Sequence, residues 1–182
     1  MSAPRHLSRH HATSGVRQRK LFLTFRLGLD RYVFAASDIV AVLALSQARP
    51  IASAPAWVSG LITYQAQPVP VIDLSARALG IPARAVTSTR IVLVNFPKRE
   101  QPIAGHGSSK RLLGVMVEHV TETVHLDPRA FVPSGVNTPQ ARYLGPIHDD
   151  GAGYIQWVRT EDLLDAEVRA CLYDAVDSEL PS

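Results

Sequence analysis

The sequence predicts a mainly β protein of the barrel or sandwich class. Two observations carry this. Short runs rich in Val, Ile, Leu and aromatic residues recur along the chain at roughly 8–12-residue intervals, and Gly, Pro, Asp and Ser punctuate the gaps between them. A helical stripe closes the chain.

The elements are taken in chain order. Leu21, Leu23, Phe25 and Leu27 share one face of a period-two strand. Gly28-Leu29-Asp30-Arg31 turns the chain into a second strand at Tyr32-Val33-Phe34, and Ser37-Asp38 is suited to capping a brief helical turn. Ile39 to Leu45 reads as a buried strand, although its periodicity also admits a helix. The most distinctive stretch is Pro55-Ala56-Trp57 through Asp73-Leu74: two strands, Trp57 to Tyr64 and Val69 to Leu74, joined by a polar bend. Gly60 inside the first strand marks a bulge or a close backbone approach. Pro68 and Pro70 cannot donate ladder hydrogen bonds, which points to an edge or a strand start. Ser75 to Leu79 forms a short helix stopped by Gly80 and Pro82, with Asp73 placed to cap it.

Arg90 to Phe96 is a strand almost wholly of β-branched, aliphatic and aromatic residues. Residues 97–110 read as a surface loop, and Leu112 to Val117 returns as the second arm of a long-looped hairpin. Val120 to Leu126 alternates as a further strand, residues 127–146 are expected to be irregular, and Gly153 to Val158 is the last strand. A helix comes next, with Thr160 as N-cap and Glu161 and Asp162 in the first turn. Leu164, Val168, Cys171, Leu172 and Ala175 form its apolar stripe.

At 182 residues the chain has the length of one domain or of two small lobes with a shared core. The net charge of +3 is uneven: residues 1–20 carry five Lys/Arg and no acid, leaving 14 basic and 16 acidic groups elsewhere. Residues 1–20 are therefore expected to form a disordered basic tail. They lack the interleaved aromatics of a nucleic-acid stacking platform, so no nucleic-acid partner is assigned. One cysteine, Cys171, excludes an internal disulfide framework. The chain carries no apolar run of membrane-spanning length, and its first residues lack the apolar stretch of a secretory signal. A cytoplasmic protein without membrane insertion is expected.

A search for reaction chemistry yields little. Of the seven histidines, His6, His10, His11, His106, His119, His125 and His148, the first three lie in the tail, where they suit only adventitious metal, and His119 and His125 have no Cys or second His at ligand spacing. Gly105-His106-Gly107-Ser108-Ser109-Lys110 lacks the spacing of a phosphate loop, and the chain contains no nucleophile elbow. Asp149-Asp150 reads as a turn, and Cys171 as a core filler. No catalytic residue, metal or cofactor is assigned. The surviving alternative of this kind is a small β-barrel enzyme or ligand binder with an unrecognised pocket.

The run P-A-W-V-x-G-L-I-x-Y-x-x-x-P-V-P-V-I-D-L, residues 55–74, resembles the signature segment of CheW-like domains, adaptors that couple chemoreceptors to a histidine kinase. Leu113 to Val120 resembles the family's second-lobe segment, with Glu118 where Asp is usual, and Tyr143-Leu144-Gly145 is similar to a further recurring piece. The resemblance extends from about Leu21 to about Leu172.

The resemblance implies two SH3-like five-stranded β-barrel lobes packed on each other, with a short helix after the hairpin and a C-terminal helix. The expected CheW-like domain spans 21–176, with one lobe near 31–85 and the other comprising 21–30 plus 88–176, and 177–182 flexible. It implies two partners, a CheA-type histidine kinase and the cytoplasmic tip of a methyl-accepting chemoreceptor. The implied interface comprises Ile39, Val40, Ala41, Val42, Val58, Gly60, Gln65 and Ala66. Regular alternation would not let Ile39 and Val42 face the same way. Gln65-Ala66 stands where the family usually has Arg-Gly, which exchanges a charged fork for a neutral amide and removes easy access to positive φ. Ser88 to Val94, Arg111 to Gly114, Thr121 to Thr123, Tyr143 to Pro146 and Ile155 to Val158 are further similar to the adaptors of the Wsp surface-sensing branch, which drives cyclic di-GMP synthesis and biofilm.

Overall fold

The computed structural model describes residues 18–96, 111–135 and 138–177. The expected tail lies outside these residues as far as residue 17, as do the loop 97–110 and the end 178–182. In chain order the elements are β1 (Lys20–Leu27), β2 (Asp30–Ala35), β3 (Ile39–Ala44), β4 (Val58–Tyr64), β5 (Gln67–Asp73), α1 (Leu74–Leu79), β6 (Arg90–Phe96), β7 (Arg111–Val117), β8 (Thr123–Leu126), β9 (Leu144–Asp149), β10 (Tyr154–Val158) and α2 (Ala166–Asp177).

The fold is mainly β, as the sequence predicts: two five-stranded sheets, ordered β8-β1-β2-β10-β9 and β3-β6-β7-β5-β4. Most neighbours are antiparallel, but β10 runs parallel to β2 and β5 parallel to β7. The division of the chain between lobes differs from the expected one. The first sheet takes 20–35 together with 123–158, and the second takes strands from 39 to 117. Ladder pairing is the reason. β2 stays beside β1 from Phe22↔Ala35 to Leu27↔Asp30, and β8 returns to pair Leu126 with Lys20.

Among the described residues, three apolar clusters hold the lobes. Phe22, Val33, Phe131 and Ile155 fill the first lobe, and Ile62, Val69, Val71, Ile91 and Leu93 fill the second. Between the sheets lies the largest cluster, in which Leu23, Phe25, Phe34, Val92, Val94, Leu113, Leu163 and Leu172 meet. Strands serving two clusters are buried on both faces, which explains the unbroken apolar run of β6. It also corrects the half-buried reading of β1. Phe22 on the supposed outer face is fully buried, while Leu21 at the strand end is 38% exposed.

Other boundaries shift for local reasons. β5 is interior to its sheet, so the prolines do not mark an edge. β7 pairs only with Val71 to Asp73, however, which leaves Pro68 and Pro70 where the strand has one neighbour. β9 begins inside the region expected to be irregular and runs three residues past its end, because Gly145 and Pro146 interrupt its apolar pattern. β8 starts only at Thr123. Ala36–Asp38 forms the brief turn, without a side-chain cap from Ser37 or Asp38. Thr160 begins a separate 3-10 turn, and Asp165 is the acid that accepts from the Val168 amide at 2.9 Å at the start of α2.

Candidate functional site: an edge strand and a hairpin bend

β3 closes one end of the second sheet with β6 as its ladder neighbour. Its residues alternate, with Ile39, Ala41 and Leu43 partly buried and Val40, Val42 and Ala44 exposed. The alternation hides a change of face. Ile39 pairs with Val94, but Ala41 pairs with Leu93, so Val40 is an extra residue in the ladder. Ile39 consequently packs on the central cluster, whereas Ala41 and Leu43 pack into the second lobe. Val40 and Val42 remain 43% and 44% exposed. Two β-branched side chains standing outward on an edge strand make a stiff apolar surface of the kind that contacts other proteins.

The neighbouring hairpin divides the implied interface residues. Val58 is partly buried against the central cluster. Gly60 is buried, with φ at 128°, and a Cβ placed there would lie 2.1 Å from the Arg49 carbonyl oxygen. Both structural expectations for it hold. The ladder slips between Val58 and Gly60, and the close approach is made by the chain's own backbone. Arg49 and Leu61 exchange hydrogen bonds of 2.8 and 2.7 Å across the gap the glycine leaves. Gly60 therefore shapes the lobe and offers no contact surface of its own.

At the bend Tyr64 pairs with Gln67, leaving Gln65 and Ala66 as a two-residue loop. Their φ values are 49° and 62°. Positive φ at both central positions is the signature of a type I′ hairpin turn, which favours Asn-Gly. Ala66 thus takes the left-handed backbone that the missing glycine would have reached more easily. Both residues are exposed. Of the eight implied interface residues, Val40, Val42, Gln65 and Ala66 stand outward, while Ile39, Ala41, Val58 and Gly60 pack inward.

Asp73 anchors the chain beyond the hairpin. One carboxylate oxygen accepts from the Ala76 amide at 3.0 Å and caps α1, and the other accepts from the Ala83 amide at 2.8 Å. Glu118 accepts the next amide, that of Arg84, at 2.8 Å. Two carboxylates, one at the end of β5 and one just after β7, therefore pin residues 83 and 84.

Sequence reasoning missed Arg77 on α1. Its guanidinium carbon sits 4.2 Å from the centre of the Trp57 ring and 5.2 Å from that of Tyr143. Burial pulls the guanidinium below its usual pKa, and Tyr143 opposes that shift. Arginine stays charged under such a shift, so the contact is a desolvated cation over aromatic faces. It ties α1 of the second lobe to Tyr143 beside the first. Both aromatic partners lie far from Arg77 in the chain, so no local pattern announces the contact.

Among the described residues no three His, Cys, Asp or Glu side chains lie close enough to hold a metal. Asp149 and Asp150 accept the amides of Gly151 and Ala152, as expected of a turn. No helix among the described residues is long and apolar enough to cross a membrane.

Comparison with known proteins agrees with this architecture. The chain is 26% identical over 124 residues to Chemotaxis protein CheW of Rhizobium meliloti (strain 1021), covering 68% of this chain and 70% of that protein. Among solved structures, the crystal structure of scaffolding protein TtCheW from Thermoanaerobacter tengcongensis superposes with a TM-score of 0.68 at 21% identity, over 91% of this chain and 96% of that one. This likeness is one of fold. The family model for the CheW-like domain matches residues 21–168, most of the chain, and the chain accordingly belongs to the CheW-like domain family.

Proposed function

We propose that this protein is a non-enzymatic adaptor bridging a methyl-accepting chemoreceptor and a CheA-type histidine kinase at membrane-associated receptor arrays. The observation that carries the reading is the outward pair Val40 and Val42 on an edge strand, in a chain of this family. The extra residue at Val40 interrupts the ladder, which disfavours continuing the sheet into a partner. Side-chain packing against a partner's helix or barrel is the better match. Signal would then cross the molecule as changes in packing at two protein interfaces, with no cofactor. The exposed bend Gln65-Ala66 supplies a second, polar contact that differs from the family's usual Arg-Gly.

The test is a pull-down of the kinase regulatory domain and a receptor cytoplasmic fragment by the full chain. Val42→Asp should weaken retention of at least one partner with the melting temperature unchanged. Ile39→Asp is a poorer probe because Ile39 packs on the central cluster. Failure of the unmutated protein to retain either partner would sink the adaptor reading. The similarity to the Wsp branch further favours an output through cyclic di-GMP over swimming. A deletion strain should then change surface attachment and leave motility intact.

A further inference from the structure

We infer that the mouth of the first lobe is a binding site for a small molecule carrying phosphate or carboxylate oxygens. The site lies where the two ends of the first sheet approach each other. β8 and β9 are the terminal strands of that sheet, and both line a cavity of about 440 Å³. The Val132–Ile147 bridge, with two 2.8 Å hydrogen bonds, joins the segment after β8 to β9 beside it. Barrel mouths of this kind are favoured ligand sites, and the volume falls within the range of roughly 300–1,000 Å³ typical of them.

The lining has one predominant charge. Arg19 approaches from just before β1, Arg129 from the Pro128–Ala130 turn, His125 from β8 and His148 from β9. The acid among the described lining residues is Asp127, and Arg129 pairs with it. Arg129 Nη2 donates to Asp127 Oδ2 at 2.9 Å and Nε donates to Oδ1 at 3.1 Å. The Arg129 amide also donates to Oδ1 at 3.0 Å. This pairing fixes the guanidinium at the rim, and Arg19 is a second permanent cation of the same lining. His148 places Nδ1 3.3 Å from the Ala130 carbonyl oxygen and its ring centre 5.3 Å from that of Phe131, so the ring is held in one orientation. Leu126 and Ala130 add an apolar wall for the body of a ligand.

The chemistry selects an anion. Arginine forks and imidazole N–H groups are donors that match phosphate or carboxylate oxygens. A metal is disfavoured because no trio of ligating side chains occurs among the described residues. Single-stranded nucleic acid is disfavoured because no Phe, Tyr or Trp stands among the described lining residues for base stacking. The cavity belongs to the first lobe and the Val40–Val42 face to the second, so this inference stands or falls independently of the adaptor reading.

The experiment titrates the full chain with inorganic phosphate and, separately, citrate at constant ionic strength, with chloride as control. It follows the histidine ring and arginine Nε–H signals by NMR and measures affinity by calorimetry. Saturable shifts at His125, His148 and Arg129 are expected. The double variant Arg19→Ala with His125→Ala should weaken binding about tenfold or more, since a charge-assisted hydrogen bond and an imidazole donor are lost while the Arg129–Asp127 pair stays intact. Both side chains are exposed, and an unchanged amide spectrum elsewhere will verify the fold. Saturation by phosphate alone identifies a phosphorylated ligand, and saturation by citrate alone a polycarboxylate. Shifts that chloride reproduces, or that survive in the double variant, overturn the proposal.

Discussion

At the β4–β5 bend two residues other than glycine hold left-handed backbone in succession, Gln65 at φ 49° and Ala66 at φ 62°. Left-handed backbone costs an L-residue roughly 1–2 kcal/mol relative to glycine. Part of any gain from Ala66→Gly is offset by the freer unfolded chain. The net expectation is stabilisation of up to about 1 kcal/mol, read as a higher denaturation midpoint with an unchanged denaturant slope. Arg31 and Asp150 provide a second residue-scale expectation. Arg31 Nη2 donates to Asp150 at 2.6 Å and to the Gly153 carbonyl at 2.9 Å, tying β2 to the turn between β9 and β10. The hydrogen bond from Arg31 holds the Asp150 carboxyl below its usual pKa. Its contribution is therefore present above the ordinary carboxylate range and is lost as pH falls through the depressed value. Arg31→Ala should cost about 0.2–1 kcal/mol near neutral pH. The two proteins should converge in stability in acid, as parallel denaturation series across pH will test.

At the scale of elements, α2 acts as a buttress of the central cluster. Leu172 is fully buried there, and Tyr173 stacks on Phe96 with ring centres 6.0 Å apart. Burial pushes the Tyr173 hydroxyl far above its usual pKa, and it donates to the Leu112 carbonyl at 3.3 Å. Leu172→Ala should cost about 2–5 kcal/mol, visible as a marked drop in melting temperature. The helical stripe makes Val168 and Leu172 legible in the sequence, because a period of 3.6 is a local property, whereas Leu164 is buried from the turn before α2. Tyr173 lies off that stripe and escapes such a reading, since its partners come from β6 and β7. β9 escapes it for the opposite reason. Its strand state comes from the ladders with β10 and Val132, against a local Gly145-Pro146 signal that argues for a loop. The cap at Asp73 and the terminating Gly80, with φ at 70°, are readable because both act within a few residues of α1.

At the scale of the molecule, the lobes share their largest cluster, and separating them would expose it. Unfolding should therefore be a single cooperative transition. The two tryptophans make this measurable. Trp157 packs on the first-lobe cluster, while Trp57 packs on the central cluster beside Arg77. Fluorescence of Trp57→Phe and of Trp157→Phe should, after correction for each variant's own stability, trace transitions that coincide with far-ultraviolet circular dichroism. Two separated midpoints within one variant would show lobes that unfold independently.

The sequence by itself determines that the chain is mainly β, where most strands and both helices lie, that a hairpin bends at Gln65-Ala66, and which family the chain resembles. Those are local patterns of side-chain period, capping and turn chemistry. Only the tertiary structure decides which strands share a sheet, because pairs such as Lys20↔Leu126 join segments far apart in the chain. It alone decides the outward face of β3 as well. One extra residue at Val40 moves Ile39 and Ala41 into different cores, and alternation in sequence cannot reveal a slip that exists only relative to a partner strand.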